Sequence, residues 1–438
     1  MNREAIDAEY SSLRNDLTTF ISEGGKLAVV KAPPGSGKTH TLIEVLSALV
    51  AEGMRISVAA QTNSQADDIC LRWAQGHPLV PAARFASDGL PTPGDFPSSV
   101  AWVTDKKELP RGPGITVGTT AKWSLTDLTE PYDLLAIDEA WQMSWADLMQ
   151  CAVVSEKFLM IGDPGQIPPV VPIDVRRWET SPRAPHEAAP EVVLREPSLE
   201  AVRFVGSLPA CRRLPNESVD FVRPFYDFGF EAYVAAGERG LELSNDWGDA
   251  LAVGRPLALT IPTPEHGPPI EVDLEIADAT ASVVSELLGR GCTLRIGDGK
   301  RPLAPAEVGV TSSHRVMNSA LSATLRSNLG ASAKQIRVDT PERWQGLERP
   351  VMIAVHPLSG VADPSAFDLE TGRLCVMASR HQAGFIMLTR DHVGETLRNY
   401  VPSAEQAPGR PDTVGRGHDA HLKFWSQLER VGSVVDLT

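Results

Sequence analysis

From residue 27 to residue 162 the chain alternates short, β-rich apolar runs with stretches of helical periodicity. The runs are Leu27 to Val30, Ile56 to Ala60, Ile115 to Thr119, Leu134 to Ile137 and Phe158 to Ile161. Strands that alternate with helices predict a parallel sheet covered on both faces. The alternation returns further on: Glu271 to Leu288 and Arg315 to Leu329 read as helices, and Val308 to Ser312, Ile336 to Asp339, Val351 to Val355 and Phe385 to Thr389 as strands. That predicts a second parallel α/β unit. Within the first of these, residues 76–114 are rich in Pro and Gly without a clear period, which predicts a surface subdomain or loop. Residues 171–197 are irregular and Pro-rich and read as an interdomain linker or excursion. The expected organisation is a first domain at 1–195 with its insert at 76–114 and a second at 196–400 with an insert near 227–269. A polar C-terminal tail at 401–438 follows, with one late helical candidate, His421 to Arg430.

Composition changes this picture little. A chain of 438 residues holds two domains, and 42% hydrophobic with 22% charged residues is the balance of an ordinary soluble protein. The start, Met1 to Asp7, is acidic where a secretory leader would be basic and then apolar, and no uncharged apolar run is long enough to span a bilayer, so a cytoplasmic protein away from membranes is expected. The five cysteines lie far apart, without disulfide or zinc spacing, and read as core thiols. The formal net charge of -15 weighs against a nucleic-acid partner bound by a broadly basic surface. It does not exclude one held in a local groove by backbone amides, hydroxyls and a few cations.

Chemistry enters with Ala32-Pro33-Pro34-Gly35-Ser36-Gly37-Lys38-Thr39, which follows the first strand and opens a helix. Strand, Gly-rich loop and helix in this order form a cradle for nucleotide phosphates. In the run Pro34 to His40, Gly35 and Gly37 let the successive N–H groups that follow Pro34 and the positive helix end face the phosphates, Lys38 reaches the β- and γ-phosphates, and Thr39 meets a magnesium ion. Ala32 stands where such loops usually have their first Gly. A later apolar strand ends in Asp138-Glu139, which places two carboxylates at the edge of the sheet where ligands of open α/β folds bind. Asp138 is expected to hold the magnesium and Glu139 to orient and deprotonate the attacking water.

A third strand ends in Gly162-Asp163-Pro164-Gly165-Gln166-Ile167-Pro168-Pro169, and here the chain resembles the superfamily 1 helicases, whose motifs fall in the same order over nearly its whole length. The first-half matches are the phosphate loop, Gln61 to Asp67, Val117 to Thr120, Asp138 to Gln142 and Gly162 to Pro169. The second-half matches are Cys211 to Pro215 with Pro224-Phe225-Tyr226, Val310 to Arg315, Val338 to Glu348 and Arg373 to His381. The Asp-Glu-Ala-x-Gln and Gly-Asp-x-x-Gln-x-Pro-Pro forms resemble the 1B branch. The resemblance implies two tandem RecA-like P-loop NTPase domains with parallel sheets, with nucleotide in the cleft between them and a single strand across their top. It further implies that Gln166 senses the γ-phosphate, that Arg212 and Arg380 act as arginine fingers, and that Glu348 contacts the ribose. Thr62, Asn63, Thr120, Thr311 and Thr340 would meet strand phosphates.

The function this implies is ATP-driven 5′→3′ translocation on, or unwinding of, single-stranded nucleic acid, with DNA favoured over RNA and ATP or another NTP and Mg2+ as cofactors; it leaves open a protein partner that supplies unwinding or targeting. The alternatives are an NTPase motor or switch subunit that acts independently of nucleic acid, and an RNA helicase of the same fold. The family usually carries an adenine-reading Gln before the phosphate loop; no Gln precedes Gln61 here, so loose base preference is expected. Both inserts are short for duplex-splitting domains, which predicts weak unwinding by the chain alone. Trp141, Trp145 and Trp344 are expected to be packing residues, and His314 and His381 local hydrogen-bonding groups.

Overall fold

The computed structural model describes residues 2–171, 174–178, 181–245, 247–289, 291–402 and 412–437. They form two compact units: residues up to 164 with 168–209, and residues 165–167 with 210–402 and 412–437. The first is built on the strands β1 (Leu27–Lys31), β2 (Arg55–Ala60), β3 (Ala82–Phe85), β4 (Val100–Val103), β5 (Gly114–Thr119), β6 (Leu134–Ile137), β7 (Phe158–Gly162) and β8 (Arg203–Ser207). They make one sheet in the order β4-β3-β5-β2-β6-β7-β1-β8, and every pairing is parallel. Helices α1 (Arg3–Ser22), α2 (Lys38–Ala51), α3 (Asn63–Gly76), α4 (Thr120–Ser124), α5 (Trp145–Cys151) and α6 (Ala189–Arg195) accompany it. The five strands expected from the sequence are all present, because each is a run of residues buried on both faces of the sheet.

The second unit carries the short pair β9 (Ala210–Cys211) and β10 (Glu231–Ala232) and an antiparallel sheet of β11 (Arg239–Glu242), β13 (Thr293–Ile296) and β14 (Gly299–Pro302). Its main sheet joins β12 (Leu257–Ile261), β15 (Val308–Thr311), β16 (Arg337–Asp339), β17 (Arg349–Val355), β18 (His381–Arg390) and β19 (Val434–Asp436) in the order β16-β15-β17-β18-β12-β19, all parallel. Its helices are α7 (Asn216–Val222), α8 (Gly248–Ala252), α9 (Leu274–Leu287), α10 (Arg315–Leu329), α11 (Pro341–Trp344), α12 (Thr371–Ala378), α13 (Val393–Asn399) and α14 (Thr413–Arg430). Two α/β units on parallel sheets give the tandem RecA-like architecture.

Five expectations change. The 76–114 stretch is no separate surface element: it adds β3 and β4 to the edge of the first sheet. The 171–197 stretch is no simple linker, since α6 buries Ala189 and Val193 against the first core. The first unit runs on to residue 209 rather than 195, because β8 pairs with β1. The end of the chain is not a polar tail. Phe424, Trp425 and Leu428 of α14 enter the second core, and β19 pairs with β12. The 227–269 stretch likewise contributes a fully buried central strand, β12. All five cysteines are buried free thiols, as expected. Among the described residues no helix is long and apolar enough to cross a membrane.

Phe424 is fully buried and lies in ring contact with Phe221, Phe225 and Phe385. Removing it should leave a cavity that its neighbours cannot close, so Phe424→Ala is expected to destabilise the second unit by about 3–5 kcal/mol in urea denaturation. A loss below about 1 kcal/mol would show that α14 is not part of that core.

Candidate nucleotide site and strand-contacting residues

The phosphate loop leaves β1 and turns through two glycines with positive φ, Gly35 at 61° and Gly37 at 80°. Gly37 is the N-cap of α2, a left-handed conformation that costs a residue with a Cβ free energy. The loop is braced from behind, where the Tyr10 hydroxyl on α1 donates to the Ser36 carbonyl at 2.7 Å. Ser36 is itself buried, and its Oγ has no hydrogen-bond partner among the described residues. An unmet hydroxyl inside a Gly-rich loop at a helix N-terminus fits an anionic phosphate. His40 sits exposed in the first turn of α2.

Asp138 and Glu139 follow β6, and β7 lies between β6 and β1 in the sheet. Glu139 adopts a left-handed backbone, φ 52°, one of two such non-glycine residues described. The turn is fixed by the Glu139 N–H, which donates to Asp138 Oδ1 at 2.9 Å, and by the Gln142 N–H, which donates to the Glu139 carbonyl at 2.8 Å. Gly162 at the end of β7 makes room for it, since a Cβ there would lie 2.8 Å from the Ala140 nitrogen. Strain of this kind persists where the surroundings over-determine it. The result aims both carboxylates at the phosphate loop: Lys38 Nζ lies 2.7 Å from Glu139 Oε1, and the Thr39 hydroxyl donates to Asp138 Oδ2 at 3.0 Å. Burial, then the neighbouring Glu139 charge, push the Asp138 carboxyl up to about 6. A hydroxyl and a carboxylate oxygen side by side are hard donors of the kind magnesium prefers. Thr39 and Asp138 would hold the ion, which would neutralise phosphate charge.

Gln166 is buried and belongs to the second unit, as do Arg212, Glu348 and Arg380. Arg212 stacks its guanidinium over the Tyr233 ring at 3.9 Å, and Arg380 is buried. Arg213 turns elsewhere: it pairs with Glu348 and donates to the Ser379 carbonyl at 3.1 Å. Glu348 also accepts from Gln382 Nε2 at 2.7 Å. Burial raises the Glu348 carboxyl, but the Arg213 and Arg380 charges and these hydrogen bonds outweigh it and hold the group below its usual range. The two adjacent arginines are thus held differently, Arg212 over a ring and Arg213 on a carboxylate.

The five proposed strand contacts fall into two groups. Thr62, Asn63 and Thr120 lie at the C-terminal ends of β2 and β5, which pair Ala60 with Thr119. Thr62 and Asn63 are exposed and Thr120 is buried, its hydroxyl 3.4 Å from the Ala60 carbonyl. Thr311 and Thr340 lie at the ends of β15 and β16, which pair Thr311 with Asp339. Both are buried, and Thr311 Oγ1 has no hydrogen-bond partner among the described residues. Trp141 and Trp344 are buried and donate to Glu191 and to the Val310 carbonyl, so they pack as expected. His381 is buried against Phe385 with Nε2 2.7 Å from the Ser218 hydroxyl, and burial followed by the Arg213 charge lowers it to about 3. His314 lies against Phe367. Sequence reasoning missed Arg84 altogether; it lies on a four-residue strand inside the Pro/Gly-rich stretch, where no periodicity marks it.

Residues 14–178 match the family model described as an AAA domain. Curated relatives are helicases. The chain is 25% identical over 156 residues to the DNA replication ATP-dependent helicase/nuclease DNA2 of Saccharomyces cerevisiae, which covers 34% of this chain and 10% of that protein. It is 41% identical over 76 residues to the DNA polymerase alpha-associated DNA helicase A of Schizosaccharomyces pombe, 17% of this chain and 12% of the relative. It is 26% identical over 176 residues to the DNA replication ATP-dependent helicase/nuclease JHS1 of Arabidopsis thaliana, 36% and 12%. The chain thus aligns with only about a tenth of the length of these relatives. Among solved structures, the arterivirus nonstructural protein 10 helicase gives a TM-score of 0.45 at 16% identity, covering 84% of this chain and 61% of that one.

Two outcomes follow from the geometry. Glu139→Gln keeps the shape of the turn and removes the base, so it should bind nucleotide yet turn over at least about 100-fold more slowly in a phosphate-release assay. A near-parental rate would remove Glu139 from the chemistry. Because Asp138 is protonated below about 6, binding of the magnesium nucleotide should weaken as pH falls through that value, and added magnesium should move the midpoint down. Calorimetric titrations between acid and neutral pH check this; an unchanged affinity would show that Asp138 does not hold the ion.

Proposed function

We propose that this chain is an ATP-hydrolysing motor of the superfamily 1 kind, 1B branch, that moves 5′→3′ along single-stranded nucleic acid, with DNA favoured. The observation that carries the reading is the convergence of Lys38, Thr39, Asp138 and Glu139 on one phosphate loop. It is supported by relatives whose names are those of DNA helicases. In this reading Lys38 binds the β- and γ-phosphates, Glu139 orients and deprotonates the attacking water, and Gln166 senses the γ-phosphate. Arg212 and Arg380 stabilise charge on the transferring phosphoryl, and Glu348 holds the ribose. Thr62, Asn63, Thr120, Thr311 and Thr340 meet the strand backbone, contacts that carry no sequence information.

A second reading, an NTPase switch that does not need a strand, draws on the burial of Thr120, Thr311 and Thr340 and on the net charge of -15. One experiment separates the two: NTP turnover alone and with single-stranded DNA, RNA or duplex. Stimulation by single strands, strongest with DNA, is expected, and a turnover indifferent to all three favours the switch. In the same assay Arg212→Ala and Arg380→Ala should each lower turnover by about 10³-fold. A normal rate for either removes that residue from the site. With no Gln ahead of the phosphate loop, GTP and CTP should be used nearly as well as ATP.

A further inference from the structure

Arg84 is the largest charged side chain of the first unit to be fully buried, and it lies on β3, within the stretch that has no motif of its own. Its guanidinium is spent on α3. Nε donates to Asp67 Oδ1 at 2.7 Å, Nη2 donates to Asn63 Oδ1 at 2.8 Å, and Nη1 donates to the Phe85 carbonyl at 2.9 Å. Asn63 and Asp67 are one turn apart on the same face of α3, so a single buried cation clamps both. An Asn side chain has one acceptor end and one donor end. With Oδ1 held by a guanidinium, the amide cannot flip, because reversal would set its NH2 against a buried cation with no acceptor to offer. The exposed Asn63 is therefore fixed with its NH2 as the end left for a ligand. The neighbouring capping box already uses the Thr62 side chain, which accepts from the Gln65 N–H at 3.2 Å, while Gln65 Oε1 accepts from the Thr62 N–H at 3.0 Å.

We propose that Arg84 is a positioning residue for strand binding: it locks Asn63 so that its NH2 donor, and not its oxygen, faces the strand phosphates, which offer only acceptors. The inference rests on the strand-motor reading above. It also gives the 76–114 stretch a role, since β3 supplies the clamp.

The test is the affinity of the full chain for a fluorescent single-stranded oligonucleotide, measured by anisotropy together with thermal unfolding. Asn63→Asp preserves the clamp as an ion pair with Arg84 and suits the first turn of a helix, so the variant should fold at least as stably as the parent. It nevertheless presents an oxygen where the strand needs a donor, and affinity should fall by about tenfold or more, further than in Asn63→Ala. Arg84→Met should lose about as much as Asn63→Ala, and adding it to Asn63→Ala should cost no further affinity. If the parent binds strands and Asn63→Asp binds equally well, or no worse than Asn63→Ala, the clamp has no orienting role. If Arg84→Met lowers affinity as much in the Asn63→Ala background as alone, Arg84 acts through something other than Asn63. A parent that binds no strand overturns the motor reading and this inference with it.

Discussion

Everything chemical in the first unit depends on one contact, the 2.7 Å approach of Lys38 Nζ to Glu139 Oε1. It requires two backbone distortions from opposite sides. The phosphate loop must turn through left-handed glycines, and the Asp138-Glu139 corner must place a non-glycine residue at positive φ. The first is open to glycine and closed to most other residues, and the second costs free energy. Each is held by its surroundings, the loop by the Tyr10 hydroxyl and the corner by Gly162, whose missing side chain lets the corner lie against β7. The parallel sheet makes this possible, because it delivers β1, β6 and β7 to the same edge with their charged or polar endings side by side.

The second unit solves a different problem with the same architecture. Its charged residues near the matched motifs are fixed by neutralising partners: Arg213 by Glu348, Arg373 by Glu342, and the buried Arg390 by Asp273 and Glu275. Of these only the Arg390–Asp273 pair is buried on both sides, and removing one of its members would leave an uncompensated charge in the core.

How much of this could be read in advance follows from burial. Strands such as Leu134–Ile137 and Val308–Thr311 are buried at every position and announce themselves as unbroken apolar runs. The run Leu257–Ile261 is just as apolar, flanked by Pro256 and Pro262, yet the matched motifs on either side draw attention to an insert there and hide a core strand. At α14 the sequence shows helix only from His421, because Gly415 and Gly417 weaken its first turns. Gly417 is needed, since a Cβ there would meet the Leu369 carbonyl at 2.0 Å. The phosphate loop and both acidic residues were legible because their chemistry demands fixed residue types at fixed spacing. Arg84 was not, because a buried clamp needs only a cation delivered by tertiary folding, and nothing local marks it.

An acidic chain that binds a polyanion must do so with donors that are directed rather than numerous. Cations spread over a broadly basic surface cannot be the answer when the formal balance is -15. What the first unit offers instead is orientation: a capped helix start at Thr62, an Asn63 amide whose polarity is set by a buried guanidinium, and a neighbouring strand end at Thr119 in register with Ala60. Orientation of neutral donors costs little desolvation, is weakly screened by salt and does not depend on base identity. The cation that sets it lies inside the core, where its charge is matched by Asp67 and adds nothing to the surface.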